Sequence, residues 1–145
     1  MNQPTNPLTI FIDSDAFIAF IKKDDENHKI AAKFYTRLKH RNVIFVTSNY
    51  VFAEVVTVLS YRLGQSVALA FMEQVRGDDY SIDIKIADEV IFDLAADIFK
   101  RQTSKNVSFV DCTNIAFMLH RRIDAIFSFD AIYKKNGIKT VKDLI

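Results

Sequence analysis

Residues 8–19 read LTIFIDSDAFIA, and this stretch decides the fold. The apolar run Leu8, Ile10, Phe11 and Ile12 stops abruptly at Asp13, Ser14 and Asp15, after which helix-compatible apolar residues resume. The pattern reads as a buried strand that delivers a carboxylate at its C-terminal end and passes at once into a helix. In open α/β sheets that edge is where ligands bind, so further acids arriving at the same edge would mark a site.

Outward from this stretch, strands and helices alternate. Residues 15–22 read as a short helix. Residues 28–40 read as an amphipathic helix, with Ile30, Ala31, Phe34, Tyr35 and Leu38 at helical spacing. Residues 43–46 form a β-branched second strand. Thr47, Ser48 and Asn49 supply N-cap chemistry for a helix reaching Leu63, and Gly64 suits the position just past its end. Ser66 is expected to cap a further helix over 67–76, and Gly77, Asp78 and Asp79 to form a turn. Residues 81–86 alternate Ile82, Ile84 and Ile86 with Asp83 and Lys85, the period of a half-buried strand, expected at the edge of the sheet. Asp88 opens a helix to about Arg101, and Ser108 another to about Arg122. Residues 125–127 are a short strand and 130–136 a short helix closed by Gly137. The tail, 140–144, has the makings of a last strand. This alternation implies an α/β protein, a mostly parallel sheet sandwiched between helices, in a single domain over residues 1–145.

Bulk composition narrows the function. The 145 residues carry a net charge of +1, so no strong overall field favours nucleic acid. From Glu73 to Asp97 eight acids face only Arg76 and Lys85, a run read as solvated surface. From His120 onward six Lys and Arg face Asp124, Asp130 and Asp143, a surplus suited to backbone phosphates. One cysteine, Cys112, excludes an internal disulfide and fits a reducing compartment. The three histidines lack zinc-site spacing. Neither a signal-peptide plan nor an apolar stretch of membrane-spanning length is expected, which points to the cytoplasm.

Four carboxylates occupy unusual settings. Asp13 ends the first strand. Glu54 projects from a largely apolar helical stripe with Tyr50, Val51, Thr57 and Val58 one turn away. Asp111 sits in the first turn of the helix opened by Ser108, and Asp130 follows the strand at 125–127. Each of the three Asp residues also has a plain capping role open to it, and Ser108-x-x-Asp111 matches a capping box. As a set they mean more. Carboxylates sharing a pocket raise one another's pKa, and a divalent cation relieves that repulsion. Oxygen ligands suit Mg²⁺ or Mn²⁺, whose chemistry is attack of activated water on a phosphodiester.

The segments FIDSDAFIAF, TSNYVFAEVVTVL and SFVDCTNIAFMLHRRIDAIFSFDAIYKKNGI resemble the blocks of PIN-domain ribonucleases, most nearly the VapC-type toxins of toxin–antitoxin pairs. The resemblance runs from Ile10 to Gly137. It implies a five-stranded parallel sheet in a three-layer α/β/α arrangement, and a metal-dependent endoribonuclease that acts on RNA. It also implies a homodimer and an antitoxin partner that covers the site. The family's acidic set maps onto Asp13, Glu54, Asp111 and Asp130. Asp15 stands where that family usually has Ser, Thr or Asn, either as a fifth carboxylate or as a helix cap. Ser14 and Ser128 fall where hydroxyls often flank the metal, and Thr113 and Asn114 are expected near substrate or metal-bound water. Arg121, Arg122, Lys134 and Lys135 are expected to meet backbone phosphates. Two rivals stay open. One is a haloacid-dehalogenase-type phosphatase, suggested by Asp13-Ser14-Asp15 but weakened by the following Ala16-Phe17. The other is a module of this fold that grips RNA or protein without cutting.

Overall fold

The computed structural model describes residues 6–77 and 82–145. Strand β1 (Leu8–Ile12) leads into α1 (Ser14–Ile21) and α2 (His28–Lys39), then β2 (Val43–Ser48), α3 (Asn49–Leu63) and α4 (Gln65–Arg76). After these come β3 (Ile82–Lys85), α5 (Glu89–Lys100), α6 (Phe109–His120), β4 (Ala125–Phe127) and α7 (Ala131–Lys135). Among the described residues the sheet has four strands in the order β3-β2-β1-β4, all parallel. The chain steps one way from β1 to β2 to β3, then crosses back to lay β4 on the other side of β1. The crevice between β1 and β4 is therefore the topological switch point, the place where such sheets bind ligands.

Alternation of side chains along β1 explains the layers. Phe11 points to one face and stacks on Phe117 of α6 at 5.8 Å between ring centroids. On the other face Phe127 and Phe45 meet Phe34 and Tyr35 of α2. Helix α1 joins α4 through Phe17 and Phe71, and α3 packs along α4. Ile10, Phe11, Ala125 and Ile126 are fully buried at the centre. This is a three-layer α/β/α sandwich, with β3 at the edge as its alternating pattern predicts.

Two expectations change. The tail does not become a fifth strand. Its pairing shrinks to one bridge, Ile126 to Thr140, because the Thr140 backbone N–H bonds to Asp143 Oδ2 at 2.9 Å and closes a 3₁₀ turn over Val141–Asp143. Ser66 does not cap α4. Gly64, at φ +97°, turns the chain so sharply after α3 that α4 begins at Gln65, and Ser66 already lies inside it. Asp78, Asp79 and Ser81, expected in a turn and at a strand start, lie outside the described residues. The acids of the 73–97 run that are described are exposed, as solvated surface should be.

Candidate active site

The carboxyl edge of the sheet holds the acids. Asp13 leaves β1 and caps α1, its Oδ1 accepting the Ser14 N–H at 2.7 Å. The carboxylate is 4 % exposed, and three side chains complete its shell. Asn114 donates Nδ2–H to Oδ1 at 3.0 Å, Tyr133 donates its hydroxyl to Oδ2 at 2.6 Å, and Ser128 Oγ lies 3.2 Å from Oδ2. Asn114 also donates to the Tyr133 oxygen at 2.9 Å. Donation from both amide hydrogens fixes the amide's orientation and leaves Asn114 Oδ1 buried without a partner among the described residues.

Asp15 does not cap its own helix; Asp13 does. Asp15 Oδ2 instead reaches across to the segment after β4, accepting the Phe129 N–H at 2.7 Å and facing Ser128 Oγ at 3.0 Å. Its Oδ1 is buried and has no hydrogen-bond partner among the described residues. The single Ser128 proton can serve Asp13 or Asp15 but not both, so the two carboxylates compete for one donor. Burial, reinforced by the Asp15 charge, pushes Asp13 up to about 7. Burial, with a smaller push from Asp130, raises Asp15 to about 6, against the bonds from Phe129 and Ser128.

Asp111 and Ser108 form the capping box expected of them. The Ser108 N–H donates to Asp111 Oδ2 at 2.9 Å, and the Asp111 N–H to Ser108 Oγ at 3.0 Å. Asp111 Oδ1 is left 3.4 Å from the Tyr133 hydroxyl, so that oxygen sits between two carboxylates on different elements. Partial burial raises the Asp111 pKa, as does the Asp130 charge. Asp130 caps α7 through the Ile132 N–H at 3.0 Å and is exposed. Glu54 is not sunk among valines as its stripe suggests. It stands exposed on α3, where partial desolvation and the charge of Asp111 raise its pKa while the Ser14 hydroxyl lowers it.

The structure thus gathers Asp13, Asp15, Glu54, Asp111 and Asp130 at one edge, with Ser14, Ser128 and Asn114 among them. Other candidates lie elsewhere. Thr113 is fully buried, its hydroxyl donating to the Val110 carbonyl at 2.7 Å, because a short β-branched side chain inside a helix bonds back to the preceding turn. Arg121 and Arg122 end α6 at the opposite edge of the sheet, where Arg121 lies beside Thr9 and Ile44. Twelve helical residues separate that end from the Asp111 end by about 18 Å. Lys134 and Lys135 are exposed on α7, and Lys135 lines a groove that also contains Asp130. Tyr133 is the residue that sequence reasoning missed. Its signal was a tyrosine one turn after a capping Asp on an otherwise buried helix face, where the hydroxyl needs a polar partner.

An all-parallel α/β/α sandwich with five acidic side chains at its switch-point edge defines a carboxylate-centred α/β protein. The model of the PIN domain family matches residues 10–139, and the chain belongs to that family. It is 25% identical over 138 residues to the 23S rRNA-specific endonuclease VapC20 of Mycobacterium tuberculosis, covering 92% of this chain and 98% of that protein. The crystal structure of VapC20, described as a sarcin–ricin loop cleaving toxin, superposes with a TM-score of 0.79 at 24% identity, covering 89% of this chain and 95% of that one. FitAcB of Neisseria gonorrhoeae shares the fold at a TM-score of 0.64 and 13% identity over 90% of this chain and 95% of that chain. A toxin–antitoxin complex from Klebsiella pneumoniae shares it at 0.57 and 10%, over 84% and 87%. Membership of the PIN family removes the haloacid-dehalogenase reading.

Proposed function

We propose that this chain is a divalent-metal-dependent endoribonuclease, the toxin of a toxin–antitoxin pair, working in the cytoplasm as a homodimer and restrained by a cognate antitoxin. The observation that carries the reading is the convergence of Asp13, Asp15 and Asp111 on two shared hydroxyls, Tyr133 and Ser128, with each acid held above its ordinary pKa. The relative named as an rRNA endonuclease supports the activity, and neighbours named as toxins support the pairing.

The donor set fits a hard cation. It is all oxygen, its charges repel one another, and Asp15 Oδ1 is buried with no hydrogen-bond partner among the described residues. Among the described residues no three of these acids already form a closed ligand set, so one or two carboxylates plus water would hold Mg²⁺ or Mn²⁺, as suits magnesium. Asp13 and Asp111 would be the direct ligands, with Asp130 acting through water and Asp15 adding negative charge. When bound, the cation polarises a phosphoryl oxygen and makes water a better nucleophile. Glu54, exposed and with a raised pKa, takes the proton of the attacking water. The water oxygen bonds to phosphorus, the bond to the leaving oxygen breaks, and that oxygen collects a proton from solvent. Asn114 and Tyr133 hold the Asp13 carboxylate in one orientation throughout.

The test is RNA cleavage by purified, antitoxin-free protein with Mg²⁺, with Mn²⁺ and with chelator, beside Asp111→Asn. Cleavage that needs the cation and is lost in the variant is expected. Metal-independent RNA binding without cleavage of any RNA in a broad panel would replace this reading with a binding module.

A further inference from the structure

Beside Asp130 the surface opens into a groove of about 340 Å³ between the segment joining α5 to α6 and helix α7. Lys105 and Lys135 are its cations, Ser104 and Asn106 offer uncharged donors, Ile132 is part of its floor, and Asp130 is its one acid. Both lysines are exposed, and neither forms an ion pair among the described residues. The acidic run of α5 does not line it. We infer that this groove is a backbone subsite for single-stranded RNA, seating the phosphodiester next to the one held at the acids. The inference rests on the nuclease reading and extends it to Ser104, Lys105 and Asn106.

Physical chemistry favours a phosphate here. Two lysines lining the groove outweigh its one carboxylate, and a cation shared with Asp130 would remove that carboxylate's repulsion. The hydroxyl and amide can donate to phosphate or ribose oxygens, contacts that position a strand without reading its sequence. The groove is large enough for one nucleotide linkage and shares Asp130 with the acidic edge.

The experiment measures binding of a fluorescein-labelled single-stranded oligoribonucleotide against salt, in an Asp111→Asn background that keeps the strand intact. Each lysine that neutralises a phosphate should contribute about 0.7 to the slope of log affinity on log salt. The pair Lys105→Gln with Lys135→Gln should therefore lower the slope by about 1.4. Arg121→Gln with Arg122→Gln removes equal charge at the opposite edge and should leave the slope unchanged. A slope that drops only with the lysine pair supports the subsite. Equal drops in both pairs, or none with the lysines, overturn it, while cleavage by the unsubstituted chain would leave the nuclease reading standing. If the unsubstituted chain neither binds nor cuts RNA, both fall together.

Discussion

Asp13 is the most deeply buried acid of the cluster. It is buried, accepts bonds on both oxygens, and faces Asp15 and Asp111. The folded chain keeps its proton up to about pH 7, whereas the unfolded chain releases it near 3.8. Between those values the native state binds more protons, so stability is full below the lower pH and falls as pH rises through the upper one. Asp13→Asn removes the buried charge, and the Tyr133 proton can then turn toward Asp111 Oδ1. In chelator, the variant should be more stable than the parent at pH 8 by on the order of 2–4 kcal/mol, with the gain gone by about pH 4. Urea denaturation at the two pH values reads this directly, and a gain that persists at low pH would refute the assignment. Tyr133→Phe acts the other way. It deprives Asp13 of one donor and leaves an Asn114 N–H without its acceptor, at a cost of about 1–3 kcal/mol. Cleavage should fall as well, with kcat affected more than KM, since the side chain is buried and touches an acid rather than the strand.

At the scale of elements, capping and site construction turn out to be the same act. Asp13, Asp111 and Asp130 each spend one oxygen on a helix N-terminus, which fixes the carboxylate and leaves its other oxygen for the cluster. Read from the sequence, capping and membership of an acidic cluster look like competing explanations of these residues; in the fold they coexist. Ser108→Ala should therefore do two things: cost about 1 kcal/mol as a lost N-cap, and slow cleavage because Asp111 loses its anchor. A stability loss with unchanged kcat would separate the two roles. The far end of α6 gives the contrasting case. Arg122 sits at φ +52° just past the helix, and the Ile123 N–H reaches back to the Met118 carbonyl at 3.1 Å. That is a Schellman end, where glycine is preferred. Arg122→Gly should raise stability by up to about 1 kcal/mol in thermal denaturation and leave cleavage untouched. Helix boundaries were legible because their signals are local: Asp88, Ser108 and Asp130 all cap where they were expected to. The fifth strand was misread because residues 140–144 choose between a strand partner and a cap, and that contest is settled by Asp143 within the turn.

Across the whole molecule, a net charge of +1 conceals a separation of charge that composition cannot show. Asp13, Asp111 and Asp130 were legible as one cluster because strand ends and helix starts of a parallel sheet share one edge, whereas Glu54, inside α3, stood out only as an acid on an apolar stripe. The partition of the cations was not. Lys105 and Lys135 come from segments thirty residues apart and meet only through the packing of α7 beside the α5–α6 connection, whereas Arg121 and Arg122, adjacent to the same basic stretch, are carried away by the length of α6. The acidic edge is therefore a concentrated negative field opposed locally by two lysines, and a divalent cation should stabilise the fold by neutralising it. At a hundredfold excess over its Kd, a cation that binds only the native state adds about 2.7 kcal/mol. Magnesium should raise the Tm of the parent at pH 8 and do little at pH 4, where Asp13 and Asp15 hold protons that the cation would have to displace. Asp13→Asn should show a much smaller rise at pH 8, because it removes both a ligand and the repulsion the cation relieves. Scanning calorimetry of the two proteins at the two pH values decides the matter. Equal rises in parent and variant would mean that the cation binds elsewhere on the surface, and would break the link between this cluster and the metal.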